Sequence, residues 1–277
     1  MTLAISMNEQ SKLYIVSDTK LSYEIERNTV DGIDLPESAL KTFFLSPQIS
    51  ITYAGTTQIA HDIIKEAAIH ASNGESLTAI ASILQQHCNR MDGVEFLLGG
   101  MTDTYQTYKV TPSIFSTGND RVKWIGNPRA ADAVLKGVEL SPYDLASRFQ
   151  GVLDDRQFDD VGGIAVVASA NAQGFKFVPH MKLVSPYYRE QLEAGWQTVN
   201  WGSAATGGYA YTTITPVDVG NNGWGIHFFQ GNCGYFFRAD IRLNIYEKLT
   251  WKNTSLENAI SALQQEIGFR VEFCGYL

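Results

Sequence analysis

The chain has 277 residues, of which 44% are hydrophobic, and it carries a formal net charge of −8. This length and composition supply a full core for one large domain, or for a domain with a substantial extension. The acidic balance and the lack of Lys and Arg clusters argue against a nucleic-acid-binding surface, because binding to phosphates needs clustered positive charge. Since the first twenty residues lack the apolar segment of a secretory signal, and no apolar run in the sequence is long enough to span a bilayer, we expect a cytoplasmic protein with no membrane partner.

The first ninety residues combine strand-like and helical segments. TLAIS and KLYIVSD alternate apolar and polar residues, and the polar run Met7–Ser11 between them predicts the turn of a hairpin. A polar loop is expected around Thr29–Glu37. The segments that follow predict two strands and then two helices: KTFFL, QISITYAG, TTQIAHDIIKEAAIHA and SLTAIASILQQHCNRM.

The next stretch repeats this order. Strands are predicted in VEFLLGGM, TYQTYKV and RVKWIG, helices in PRAADAVLKGV and SPYDLASRFQGVLDDR, and strands again in GGIAVVASA and FKFV. Blocks of strands and helix pairs in this order favour an α+β domain, with sheets in the middle and helix pairs outside, over a parallel βαβ sheet. The predicted architecture has four layers.

The composition changes near Pro179. Residues 181–277 hold every tryptophan except Trp124 and are rich in glycine and aromatic residues. They predict several antiparallel strands, a final capped helix and a last strand. We therefore predict a first domain over residues 1–180 and a β-rich extension over residues 181–277. Cys88, Cys233 and Cys274 show no CxxC or Cys/His spacing, which predicts free thiols rather than disulfides or a zinc site.

The second residue carries the first functional signal. Thr2 is small enough for the preceding Met1 to be removed, which would leave a threonine with a free amine beside its hydroxyl. One residue would then hold both a nucleophile and a base, because a terminal amine has a pKa of about 8. The alternative is that Met1 is retained and Thr2 is an ordinary strand residue.

The order of TLAIS, KLYIVSDTK, LKTFFLSPQISITYAGTTQIAHDIIKEA, VEFLLGGMTDTYQTYKV, WIGNPRAADAVL and DDVGGIAVVASA resembles the proteasome family of N-terminal-nucleophile hydrolases, including its bacterial members. Two intervals match that family: Asp18 follows Thr2 by sixteen residues, and Gly55 follows Lys41 by fourteen. The loop between Asp18 and Lys41 is longer than in typical members, and Lys20 is a nearby competitor for the lysine role.

The resemblance implies a role for each residue. Thr2 would attack the carbonyl of an amide, and its own amine would carry the proton. Lys41 would lower the pKa of that amine, Asp18 would pair with Lys41 and keep it charged, and the Gly55 amide would stabilise the oxyanion. In WIGNPRAADA, Asn127 stands where catalytic members carry a serine. In FDDVGG, Asp159 or Asp160 matches the family's aspartate, with Val161 in place of a serine.

The sequence thus predicts a threonine-type peptidase or amidase on a four-layer αββα N-terminal-nucleophile fold, with no metal and no organic cofactor. The resemblance also implies a homo-oligomer, either a ring or a dimer, and leaves open an unfoldase or another protein partner. Two alternatives stay open. One is an inactive scaffold that retains Met1 and binds a partner through exposed aromatics of the extension such as Trp196, Trp201, Tyr209, Tyr211 or Trp224. The other is a peptide ligase or transpeptidase.

Overall fold

A computed structural model describes most of the chain. The described residues are 2–9, 12–21, 29–30, 33–34, 38–90, 93–101, 104–113, 115–116, 120–137, 141–155, 158, 160–182, 211–229 and 232–274.

Eighteen strands and five helices lie in this part of the chain. The strands are β1 (Leu3–Glu9), β2 (Lys12–Ser17), β3 (Thr29–Val30), β4 (Ile33–Asp34), β5 (Thr42–Ser46), β6 (Ile49–Gly55), β7 (Val94–Met101), β8 (Tyr105–Val110), β9 (Phe115–Ser116), β10 (Val122–Gly126), β11 (Val166–Asn171), β12 (Gly174–Phe177), β13 (Met181–Lys182), β14 (Tyr211–Pro216), β15 (Gly223–Phe228), β16 (Cys233–Asp240), β17 (Ile245–Trp251) and β18 (Val271–Phe273). The helices are α1 (Thr57–Ser72), α2 (Leu77–Arg90), α3 (Pro128–Leu135), α4 (Pro142–Asp154) and α5 (Leu256–Ile267).

The strands form three antiparallel sheets and a short β3–β4 ribbon. The first sheet has the order β10-β1-β2-β11-β12, and the second has the order β5-β6-β7-β8-β9. The third has the order β13-β14-β15-β16-β17, with β18 paired to β14. The predicted α+β class is confirmed, because helices and antiparallel sheets are segregated along the chain rather than alternating in βαβ units.

Each of the first two sheets carries a helix pair. Helices α3 and α4 contact the first sheet and close a core that includes Leu3, Ile5 and Phe149. Helices α1 and α2 contact the second sheet. Strand β1 also contacts β6 and β8 of the second sheet, where Ala4 and Ala54 share a small buried apolar cluster. The first residues of β1 therefore lie against the last residues of β6.

The third sheet packs against α5 on one side and against the rest of the molecule on the other. Apolar residues of α5, such as Leu263 and Ile267, share a buried cluster with Phe236 of β16. Trp224 and Tyr235 belong instead to the large cluster that also contains the α1 and α2 core. Residues of the third sheet are thus buried together with residues of the first half of the chain. The predicted boundary at residue 180 stays a prediction.

Two predicted boundaries were wrong. Strand β1 continues to Glu9, through part of the polar run predicted as a turn, because Met7 is fully buried and Glu9 still pairs with Lys12. The strand predicted from Gly162 begins only at Val166. The residues before it bend to bring backbone amides to polar side chains: Gly162 N–H donates to Asp18, and Ile164 N–H donates to Thr19.

No helix within the described ranges is both long and apolar enough to cross a membrane.

Candidate active site

Three polar side chains from separate parts of the chain meet in a buried cluster. Lys41 Nζ lies 2.7 Å from Thr2 Oγ1 and 2.8 Å from Asp18 Oδ1. All three residues are at most 2% exposed. The fold therefore brings together the hydroxyl, the amine and the carboxylate to which the family resemblance assigned a shared role.

The β1–β2 hairpin places Asp18 beside the start of β1. Its register pairs Ala4 with Ser17, so the next pair along the hairpin is Leu3 and Asp18. Asp18 N–H donates to the Leu3 carbonyl over 3.1 Å, and Leu3 N–H donates to Asp18 Oδ1 over 3.4 Å. This hairpin geometry explains the sixteen-residue interval between Thr2 and Asp18.

Lys41 reaches the cluster from the second sheet. It directly precedes β5, and its carbonyl accepts a hydrogen bond from Tyr53 N–H of β6. Its Nζ also lies 2.6 Å from the carbonyl of Lys20. The ammonium thus has three oxygen acceptors for its three protons, which satisfies it without water. Lys20 therefore contributes its carbonyl to this cluster, and the side chain that contacts Thr2 is that of Lys41.

Burial and pairing act in opposite directions on the two charged groups. Burial lowers the pKa of Lys41 from its usual 10.5, and the attraction of Asp18 opposes this shift. Burial likewise raises the pKa of Asp18 above its usual 3.8, opposed by Lys41. Desolvation thus brings the charged and neutral forms of the lysine closer in free energy.

Asn127 links the cluster to the start of α3. Its backbone N–H donates to the Thr2 carbonyl over 2.9 Å. Its side-chain Oδ1 accepts from Ala130 N–H and caps α3, while its Nδ2 donates to Asp160 Oδ1 over 2.8 Å. Asn127 therefore holds the backbone of Thr2, a helix N-terminus and the carboxylate of Asp160. Asp159 lies outside the described residues.

Replacing Asn127 is expected to separate its two side-chain roles. Asn127→Ala removes the helix cap and the Asp160 contact together, and we expect the free energy of unfolding to fall by about 2 kcal/mol. Asn127→Ser keeps a capping hydroxyl but is too short to bond both groups, so we expect a loss of about 1 kcal/mol. Urea denaturation of both variants measures the difference. Equal losses of unfolding free energy in the two variants would show that the helix cap does not contribute to stability.

Gly55 closes β6 in a conformation that only glycine adopts readily. Its φ is 111°, and a Cβ added there would lie 1.7 Å from the Gly93 carbonyl oxygen. Its neighbour Ala54 packs against Ala4 of β1. The end of β6 therefore lies close to the start of β1, on the part of the fold that carries Thr2.

We expect Gly55→Ala to lower the free energy of unfolding by about 3 kcal/mol or more, because the new methyl meets backbone and the φ is unfavourable. Gly151→Ala in α4 is the matched control. A Cβ at Gly151 meets no atom within 4 Å, so alanine there should raise stability by about 0.5–1 kcal/mol through its helix propensity. Thermal or urea unfolding of the pair measures both values. An unchanged free energy of unfolding in Gly55→Ala would contradict the expected clash of the new methyl group with the Gly93 backbone.

Sequence reasoning missed three residues that support the cluster. Glu95 of β7 accepts from Gly126 N–H over 2.7 Å, and Gly126, with a φ of 89°, lets the chain pass directly against the Thr2 carbonyl. Thr19 accepts from Ile164 N–H, which anchors the bend before β11. The glycine before Asn127 was a visible signal for a tight approach. Nothing in the sequence pointed to Glu95, since its role depends on two sheets packing together.

The remaining predictions concern the aromatic residues of the extension, the three cysteines and metal binding. Tyr211 and Trp224 are fully buried, whereas Trp196, Trp201 and Tyr209 lie outside the described residues, as does Met1. Cys88, Cys233 and Cys274 are free thiols, as predicted. Among the described residues, no three His, Cys, Asp or Glu side chains are grouped so that they could hold a metal ion.

No protein-family model matches the chain, and no curated protein is significantly similar to it. The contact of a hydroxyl with a buried lysine that a carboxylate holds in place is compatible with an activated nucleophile.

Proposed function

We propose that this chain is a threonine-type amidohydrolase that cleaves a peptide or other amide bond, with Thr2 as its nucleophile once Met1 has been removed. The observation that carries the proposal is the 2.7 Å contact of Lys41 Nζ with Thr2 Oγ1, backed by Asp18, in a fully buried cluster. The two helix pairs on contacting sheets support our further proposal of a four-layer, proteasome-like αββα fold.

The proposed reaction begins with a bond from Thr2 Oγ1 to the carbonyl carbon of the substrate. The hydroxyl proton passes to the free amine of Thr2. The carbon–nitrogen bond then breaks, the leaving amine takes up that proton, and the acyl group remains on Thr2 as an ester. Water hydrolyses the ester and restores the hydroxyl. Because the Lys41 ammonium donates to Thr2 Oγ1, the free amine of Thr2 is the favoured proton acceptor, and Lys41 lowers the pKa of that amine.

Gly55 is proposed to stabilise the oxyanion. It lies at the end of β6 near the start of β1, and α1 begins two residues later at Thr57. Backbone N–H groups and the positive end of a helix dipole both favour negative charge. Loss of one such donor typically costs about 3 kcal/mol of transition-state stabilisation.

The same cluster is compatible with a ligase, since an amine in place of water would turn the ester into a new amide. The scaffold alternative needs exposed aromatics in the extension, and the burial of Tyr211 and Trp224 removes two of the five candidates. Assembly into a ring or a dimer, and an unfoldase partner, are further proposals. The hydrolase is favoured because a scaffold has no need for a desolvated lysine on a threonine hydroxyl.

The test combines intact mass with a threonine-directed probe. The full chain is expressed with ample methionine aminopeptidase and treated with a peptide epoxyketone, which reacts with the hydroxyl and the amine of an N-terminal threonine together. We expect loss of Met1 and one adduct, mapped by peptide sequencing to Thr2. Retained Met1 and no adduct would overturn the hydrolase proposal.

A further inference from the structure

The third sheet contacts both ends of the segment that carries Lys41. This segment, residues 38–44 (the lysine segment), runs from Ser38 into β5. Asn222, which directly precedes β15, bonds to Phe44 at one end, and Lys248 of β17 bonds to Ser38 at the other. Lys41 therefore lies between two attachment points that the last third of the chain supplies.

Asn222 binds the edge of β5 that faces away from β6. Strand β5 is the outer strand of the second sheet, and among the described strands it pairs with β6 alone. On its other edge, Phe44 N–H donates to Asn222 Oδ1 over 2.6 Å, and Asn222 Nδ2 donates to the Phe44 carbonyl over 2.9 Å. Ala239 N–H of β16 donates to the Asn222 carbonyl, which ties the backbone of Asn222 to the third sheet. One side chain thus takes the place of a neighbouring strand at Phe44.

This contact falls where the pairing of β5 is irregular. The register of the β5–β6 pair shifts between Phe44 and Ser46. A slip of this edge strand by one residue would turn each of its side chains to the opposite face of the sheet. Asn222 opposes such a slip because its amide bonds both backbone groups of one residue. The direction of Lys41, three residues before Phe44, depends on the same register.

The other end of the lysine segment is aligned with an acceptor of Lys41. Lys248 Nζ donates to Ser38 Oγ over 3.2 Å, and Ser38 is buried. Ser38 pairs with Lys20 in an isolated antiparallel bridge. The Lys20 carbonyl in turn accepts from Lys41 Nζ over 2.6 Å. A chain of contacts therefore runs from β17 to the ammonium that bonds the proposed nucleophile.

We propose that the third sheet positions Lys41 for the reaction, with Asn222 and Lys248 as positioning residues that act through the backbone of the lysine segment. The proposal rests on the proposed function, because the position of Lys41 affects catalysis only if Thr2 reacts. The ammonium of Lys41 lowers the pKa of the terminal amine only from close range. A displaced lysine segment would therefore let that pKa rise. The third sheet thereby becomes part of the catalytic unit.

The test measures the rate of epoxyketone labelling of the full chain between about pH 5 and about pH 9, a range that brackets the usual pKa of a terminal amine. The variants are Asn222→Ala and Lys248→Met; the second keeps an unbranched stem beside the Tyr235 ring. We expect each variant to label about 10-fold more slowly at neutral pH. We also expect the pH of half-maximal rate to rise by about 0.5 units or more, because labelling needs the uncharged amine.

The pH of half-maximal rate separates positioning from stability. A loss of folded protein lowers the amount labelled at every pH and leaves this midpoint unchanged. Two matched controls should keep the wild-type rate and midpoint: Asn258→Ala on the exposed face of α5, and Glu247→Gln, which removes the partner of Arg238 in the strand that carries Lys248. Wild-type rates in both positioning variants, or slower labelling with no shift of the midpoint, would overturn the proposal.

A second measurement applies if the wild-type chain is not labelled at all. The proposed function then fails, and the position of the lysine segment is tested by amide hydrogen exchange. Tyr53 N–H donates to the Lys41 carbonyl, so its exchange should be about 10-fold faster or more in Asn222→Ala, while the amides of β11 exchange as in the wild type. Unchanged exchange at Tyr53 would show that Asn222 does not hold this segment, and would overturn the positioning role as well.

Discussion

Replacing Lys41 by methionine is expected to abolish labelling and hydrolysis and to lower the free energy of unfolding by about 3–5 kcal/mol. Activity is lost because the Lys41 ammonium no longer donates to the threonine hydroxyl or lowers the pKa of the terminal amine. Stability is lost because Asp18 is left as a fully buried carboxylate without its cation. Probe labelling measures the first effect, and urea denaturation measures the second.

A second variant separates these two effects. In Lys41→Met combined with Asp18→Asn, both charges are gone and an amide remains to accept from Leu3 N–H, so stability should return to within about 2 kcal/mol of the wild type. Activity should stay absent. A stable but inactive double variant assigns a chemical role to Lys41, whereas recovered activity would show that neither charge takes part in the reaction.

The stability loss in Lys41→Met should also depend on pH. Burial raises the pKa of Asp18 in the folded state, so the folded variant takes up a proton more readily than the unfolded chain. Acidification through this pKa neutralises the unpaired carboxylate. In the wild type, the same protonation leaves Lys41 without its anion. The difference in unfolding free energy between variant and wild type should therefore be largest above the pKa of Asp18 and shrink as the pH falls through it.

Thr2→Ala is expected to reduce peptide hydrolysis on the order of 10⁴-fold or more, because it removes the proposed nucleophile. Its effect on folding should be small, about 1 kcal/mol, since one hydrogen bond from Lys41 is lost and the residue stays at the end of the hairpin. Rates with a fluorogenic peptide and a urea unfolding curve for the same preparation give both values.

Thr2→Ser is the matched control for the hydroxyl. It keeps the oxygen that Lys41 contacts and a small residue after Met1, so we expect activity within about 100-fold of the wild type and labelling by the epoxyketone. An active Thr2→Ala variant would show that another group is the nucleophile. If both variants were inactive while both stayed folded, the threonine methyl group would be required to position the hydroxyl.

The resemblance to a family predicted much of the candidate site, through two sequence intervals that hairpin geometry explains. Asp18 is a fixed distance from Thr2 because a tight hairpin joins them, and hairpin register is a local property. The interval from Lys41 to Gly55 likewise follows from the β5–β6 hairpin, in which Lys41 bonds to Tyr53. The meeting of Lys41 with Thr2 is different, because it joins two sheets that have no local connection. The resemblance to a family supplied that expectation, and periodicity alone did not.

Other features depend on tertiary packing and left little trace in the sequence. Met7 was expected in a turn because its neighbours are polar, yet it is buried beneath the α3–α4 pair and keeps β1 extended. Glu95 and the carbonyl of Lys20 serve the cluster only because other strands pack beside them.

The sequence by itself determined the α+β class, the order of strands and helix pairs, and the residues at the ends of two hairpins. These are local properties, set by the 2.0 and 3.6 residue periods of apolar side chains and by turn residues. Only the tertiary structure decided which polar side chains share a buried cluster, and that β16 and β17 form one wall of a cavity whose other wall includes Leu40, Phe43 and His61. Such contacts depend on how separate sheets pack against one another, and their free energy is shared among residues far apart in the chain.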